Sequence, residues 1–112
     1  MDVVAVDRIA AVVARRPRFL ERVYTDGEVA DCVRDGVQVG SAVAAARLAG
    51  RFAAKEAAKK ALGAGLTWRE VEVRQRDDGD PVLWIRGAPA AAAVSFAHDG
   101  GVAVAMVVAV GP

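Results

Sequence analysis

A chain of 112 residues that is 54% hydrophobic is sized for a single domain, 1–112, and is too apolar to be a disordered segment. With 15 Lys+Arg against 14 Asp+Glu the net charge is +1, which excludes the strong global field of a nucleic-acid binder. The one cysteine, Cys32, leaves no disulfide framework and fits a reducing compartment. No run of about 18 uncharged apolar residues occurs, and no basic segment precedes an apolar stretch at the N-terminus, so no membrane is expected and a cytoplasmic location is. Residues 1–60 hold 11 Lys+Arg and 8 Asp+Glu whereas 61–112 hold 4 and 6, so an acidic partner meets the first half more readily; an unevenly charged solvated surface explains the same counts.

The apolar runs Val3 to Val6 and Ile9 to Val13, separated by Asp7 and Arg8, fit a strand running into a helix. Arg15, Arg16, Pro17 and Arg18 break that pattern, because proline disfavours helical geometry in the residue before it. Thr25 with Glu28 has capping-box spacing and predicts a helix over 26–34. Asp35-Gly36 and Gly40 mark a loop. Ser41 then caps a long segment of good helix formers that ends near Leu62, stopped by Gly63 and Gly65 and locally weakened by Gly50. Val71 and Val73 alternate with charged residues as in a half-buried strand. The turn Asp77-Asp78-Gly79-Asp80-Pro81 joins it to Val82–Ile85 in a hairpin. Ala90 to Phe96 and Val102 to Val110 form a second hairpin around His98-Asp99-Gly100-Gly101, with the alanine run 90–93 readable as short helix or strand start. The last run is apolar on both faces, which predicts the middle of a sheet or an interface.

The segment from Arg51 to Ala61 carries the chemistry. On a helix Phe52, Glu56 and Lys60 share one face and Lys55 and Lys59 align beside it. A carboxylate flanked by ammonium groups is either an i,i+4 ion pair of about 0.3–0.5 kcal/mol on a solvated helix, or a metal ligand with cations placed to neutralise phosphate oxygens.

The run Ala49-Gly50-Arg51-Phe52-Ala53-Ala54-Lys55-Glu56-Ala57 with Lys60 resembles the signature helix of the holo-acyl-carrier-protein synthases, the small 4′-phosphopantetheinyl transferases. The opening Asp2-Val3-Val4-Ala5-Val6-Asp7-Arg8-Ile9 is similar to that family's first motif. Arg18-Phe19, Thr25 with Glu28, Gly79 with Pro81, and Val94-Ser95-Phe96-Ala97-His98 follow in the family's order, so the likeness spans nearly the whole chain. It implies an α+β domain in which a small antiparallel sheet packs on the long signature helix. It also implies transfer of the phosphopantetheine arm of coenzyme A to a serine of an acyl carrier protein, in a homotrimer with coenzyme A between subunits.

The resemblance further implies magnesium at Asp2 and Glu56, phosphate contact or proton transfer by Lys60, and a general base among Glu56, Lys60 and His98. Arg47 and Arg51, just before or within the signature, would reach the nucleotide phosphates, and Arg8, Arg18 and Arg22 would suit docking of an acidic carrier protein. Ala5 replaces an acidic residue common in the family, Ala93 stands where a histidine is frequent, and Ala97 replaces a hydroxyl residue. The glycine-containing strand that usually leads into the metal aspartate is missing before Asp2; a competing register gives that role to Asp7 but loses the match of Asp7-Arg8-Ile9. The short stretch between Gly87 and Val94 predicts that a helix of longer relatives is absent. Two other readings stand beside this one: a catalytically impaired relative that binds coenzyme A or carrier protein, and an interaction module whose helix charges are solvated.

Overall fold

The computed structural model describes residues 1–110. Strand β1 (Asp2–Ala5) passes directly into helix α1 (Val6–Arg15), so the helix begins at Val6, before the second apolar run, and ends just short of Pro17. Helix α2 (Phe19–Val23) was not expected; at five residues it is too short to show a periodicity, and it turns Val23 into the core. Helix α3 (Asp26–Cys32) starts at the expected capping box: Glu28 N–H donates to Thr25 Oγ1 at 3.2 Å and Thr25 N–H donates to Glu28 Oε1 at 2.8 Å.

A 3₁₀ turn at Arg34–Gly36 leads to helix α4 (Ala42–Leu62), whose Ser41 cap accepts a hydrogen bond from Ala44 N–H at 3.2 Å. Gly50 lies buried within α4 where a Cβ would come 2.9 Å from Phe96 Cδ2. The glycine that weakens the helix pattern therefore lets a strand approach closely.

The remaining strands are β2 (Val71–Gln75), β3 (Pro81–Ile85), β4 (Ala88–Pro89), β5 (Ala92–Asp99) and β6 (Val102–Ala109). They form two antiparallel sheets, ordered β1-β6-β5 and β2-β3-β4, rather than one. Strand β6 is paired on both edges, by β1 and β5, so the hairpin of β2 and β3 finds its third strand in the short β4. Helix α4 packs across β1, β5 and β6 and also meets β2. The alanine run resolves as strand, since Ala92 and Ala93 open β5, and no helix forms between Gly87 and Val94.

His98 belongs to β5 and not to the turn. The reversal needs only Gly100 and Gly101, at φ 57° and 79°, a pair of left-handed positions that two glycines adopt without strain. The apolar run of β6 proves central in its sheet: Ala103, Ala105 and Val107 are buried against α4, while Val102, Val104, Met106 and Val108 are exposed on the opposite face beside Val3.

Candidate active site

Alternation along β1 turns Asp2 and Val4 inward, beneath α4, while Val3 and Ala5 face out. Asp2 is 7% exposed; its Oδ1 accepts a hydrogen bond from Lys60 Nζ at 2.7 Å, and its Oδ2 is buried without any hydrogen-bond partner. Glu56, half-buried on α4 one turn before Lys60, completes the cluster. Burial, and after it the charge of Asp2, push the Glu56 carboxyl above its ordinary range against the pull of Lys60, Arg8 and Lys59. Lys60 goes the other way from a free amine: its hydrogen bond to Asp2 and the charge of that carboxylate raise it, so the ammonium is retained. Its side chain is 68% exposed. The i,i+4 ion pair of Glu56 with Lys60 is not formed, because Lys60 turns to Asp2. Asp7, the competing ligand, is exposed in the first turn of α1.

A second group assembles on the opposite side of α4, with Arg47 and Arg51 roughly 140–180° around the helix from Glu56 and Lys60 at 3.6 residues per turn. Arg47, Arg51 and His98 line a cavity of about 420 Å³ together with Phe96, Gln75 and Arg34. Arg47 donates to the carbonyl oxygens of Cys32 and Arg34, each at 3.2 Å. Arg51 is only 2% exposed, with its guanidinium 5.4 Å from the centre of the Phe96 ring. Arginine reads as surface in a sequence, so this burial was not foreseen. His98 is thus brought together with the two arginines and not with Asp2 and Glu56.

The third group, Arg8, Arg18 and Arg22, does not stay together. Arg18 and Arg22 border a groove of about 620 Å³ floored by Phe19, Val23 and Trp68, where Arg15 and Arg16 join them. Arg8 lies instead on α1, near enough to Glu56 to lower its carboxyl. Trp68 stacks on Phe52 with ring centres 5.1 Å apart, and Lys59 Nζ stands 4.1 Å from the Trp68 ring centre.

Lys55 keeps its helical register with Lys59 but lies on the buried side of α4. It is fully buried, its Nζ donating to Glu28 Oε1 at 2.6 Å and to the Val71 carbonyl at 2.7 Å, so it is closed to any phosphate. Glu28 Oε2 in turn accepts from Val73 N–H at 2.7 Å. Burial pushes the Glu28 carboxyl up and the Lys55 ammonium down, and each opposes the shift of the other. No helix among the described residues is long and apolar enough to cross a membrane.

A profile of the 4′-phosphopantetheinyl transferase superfamily matches residues 1–108. The holo-acyl-carrier-protein synthase of Salinispora arenicola is 42% identical over 120 residues, covering 97% of this chain and 93% of that protein. The synthase of Frankia alni is 45% identical over 120 residues, with 97% and 92% covered. Among solved structures, the Helicobacter pylori holo-acyl-carrier-protein synthase in complex with coenzyme A superposes with a TM-score of 0.75 at 26% identity, covering 96% of this chain and 95% of that one. The Bacillus anthracis synthase in complex with CoA (3′,5′-ADP) gives 0.75 at 31% identity, with 95% and 89% covered. A long helix on small antiparallel sheets, the signature residues on that helix and these full-length likenesses agree: the chain belongs to the 4′-phosphopantetheinyl transferase superfamily and, within it, to the holo-acyl-carrier-protein synthases.

Proposed function

We propose that this enzyme transfers the 4′-phosphopantetheine arm of coenzyme A to a serine of an apo acyl carrier protein, as one transferase domain over 1–112, with magnesium held by Asp2 and Glu56. The observation that carries the reading is Asp2, a carboxylate removed from water with one oxygen unpartnered and a second carboxyl beside it. Like charges out of water repel, and a cation resolves the conflict. Asp2 and Glu56 would supply two carboxylates, a number that suits magnesium when phosphate oxygens and water complete its shell. When bound there, magnesium draws charge from the diphosphate and improves the leaving group.

In the transfer the serine oxygen bonds to the phosphorus that carries pantetheine, the bond from that phosphorus to the bridging oxygen breaks, and 3′,5′-ADP leaves. The serine proton needs an acceptor. Lys60 holds its proton firmly and His98 lines the other cavity, so Glu56, directly or through a water, is the base this arrangement favours, and Lys60 is left to donate to phosphate oxygens. Arg47 and Arg51, with His98 beside them, take the phosphates of the nucleotide. Arg18 and Arg22, bordering the groove, and Arg8, apart from it on α1 near Glu56, steer the acidic carrier.

The two clusters lie on different flanks of α4, and the outer face of β1 and β6 is apolar and open. Both features support a homotrimer in which one coenzyme reaches Asp2 and Glu56 of one copy and the arginines of the next. The lone buried thiol of Cys32 is consistent with a cytoplasmic setting.

Intact-mass analysis tests the reaction. Apo acyl carrier protein incubated with this chain, coenzyme A and magnesium should gain one phosphopantetheine, and chelator should prevent it. No gain with several carriers and a folded chain replaces this reading with a relative that binds coenzyme A or carrier without efficient transfer. In the same assay Asp2→Ala should weaken the metal dependence and Asp7→Ala should not; the reverse assigns the ligand to Asp7.

A further inference from the structure

Arg51 is a buried cation without a carboxylate. Among the described residues it forms no salt bridge: Nη1 donates to the Arg47 carbonyl at 3.2 Å, Nη2 donates to Gln75 Oε1 at 2.9 Å, and Nε, buried, has no partner. Gln75 is itself held at both ends. Its backbone N–H donates to Asp31 Oδ2 at 3.1 Å, and its amide Nε2 donates to the Gly79 carbonyl at 3.4 Å, which fixes the amide so that Oε1 faces the arginine. Asp31, which lines the cavity together with Asp35, is engaged by Arg34 and Arg74 at 3.0 Å each. Burial raises its carboxyl, but the hydrogen bonds from Arg74, the Gln75 N–H and Arg34 outweigh that and hold it below the usual range, so it stays a paired carboxylate.

We propose that Gln75 is a positioning residue for anion recognition: a neutral acceptor that fixes the Arg51 guanidinium while leaving its charge uncompensated for a phosphate group of the coenzyme. This rests on the reading that the phosphates dock at Arg47 and Arg51. A carboxylate at 75 would grip the guanidinium more strongly and cancel the charge the ligand needs. An amide gives geometry without neutralisation.

The test compares Gln75→Glu, Gln75→Met and Arg51→Lys with the native chain, by steady-state transfer kinetics and by calorimetric titration of coenzyme A. Gln75→Glu should raise KM and Kd for coenzyme A about tenfold, a loss of roughly 1.4 kcal/mol, with kcat within twofold and Tm unchanged or higher. A merely structural glutamine would instead lower Tm and kcat without a selective change in coenzyme affinity, and that pattern overturns the proposal. Gln75→Met, which lacks the acceptor but adds no charge, should raise Kd by a smaller factor; native affinity in both variants overturns the proposal as well. Arg51→Lys separates the two levels of inference. If it binds coenzyme A as the native chain does, the docking reading itself fails. If it binds weakly while Gln75→Glu binds normally, the docking reading survives and only the role of Gln75 falls.

Discussion

Glu56 is the residue whose surroundings ask most of it, since burial and Asp2 both oppose its ionisation. Glu56→Gln keeps the shape and removes the charge. Initial rates at saturating magnesium should fall by a factor on the order of 10²–10⁴ while circular dichroism and Tm stay native; retained turnover removes Glu56 from the reaction. At this scale the sequence was legible where a motif carried the residue. Asp2, Glu56 and Lys60 were named from the pattern, and β1 and α4 bring them together. Lys55 and Arg51 were not legible, because helix spacing says which side chains align and not which face is buried. His98 was placed in a turn because it adjoins Asp99-Gly100-Gly101; Gly100-Gly101 alone suffices for the reversal, and a sequence does not say how far β5 runs before it.

The elements around the site are held by α3. Glu28 and Asp31, one turn apart on that helix, accept hydrogen bonds from the N–H groups of Val73 and Gln75, two residues apart on β2, so helix side chains satisfy the strand edge that β3 does not. Lys55 ties α4 to the same point through Glu28 and the Val71 carbonyl. Lys55→Met leaves Glu28 buried opposite an apolar group and should cost about 3–5 kcal/mol, read from urea unfolding. The double variant with Glu28→Gln should recover part of that loss; a single variant as stable as the native chain means the pair contributes nothing. The capping box of Thr25 and Glu28 was legible because both partners lie within one turn. The second half of the glutamate's work, with partners on α4 and β2, is a tertiary contact that no local spacing encodes. Helix α4 was readable end to end from Ser41 to Gly63, whereas α2, between arginines, was not.

For the whole molecule the open question in the sequence was why the last strand is apolar on both sides. It is central in its sheet, and its second face, with Val104 and Met106, is exposed. Val104→Asp should convert a trimer to monomers in analytical ultracentrifugation, weaken coenzyme affinity at least tenfold and leave the circular dichroism native. A native chain that sediments as a monomer removes the shared-site arrangement. That the strands divide between two sheets was not legible, because alternation identifies a strand but not its neighbour. One further consequence follows from the pairing of Asp2 with Ala105 across β1 and β6. Contacts so distant along the chain form late, since their loop-closure entropy must be met first. An incompletely folded or still-growing chain can carry Glu56 and Lys60 on a finished helix with no aspartate alongside. Seating of Asp2 then waits for β6, the strand partner of β1 among the described residues, which makes closure of the sheet a checkpoint for bringing the aspartate to α4.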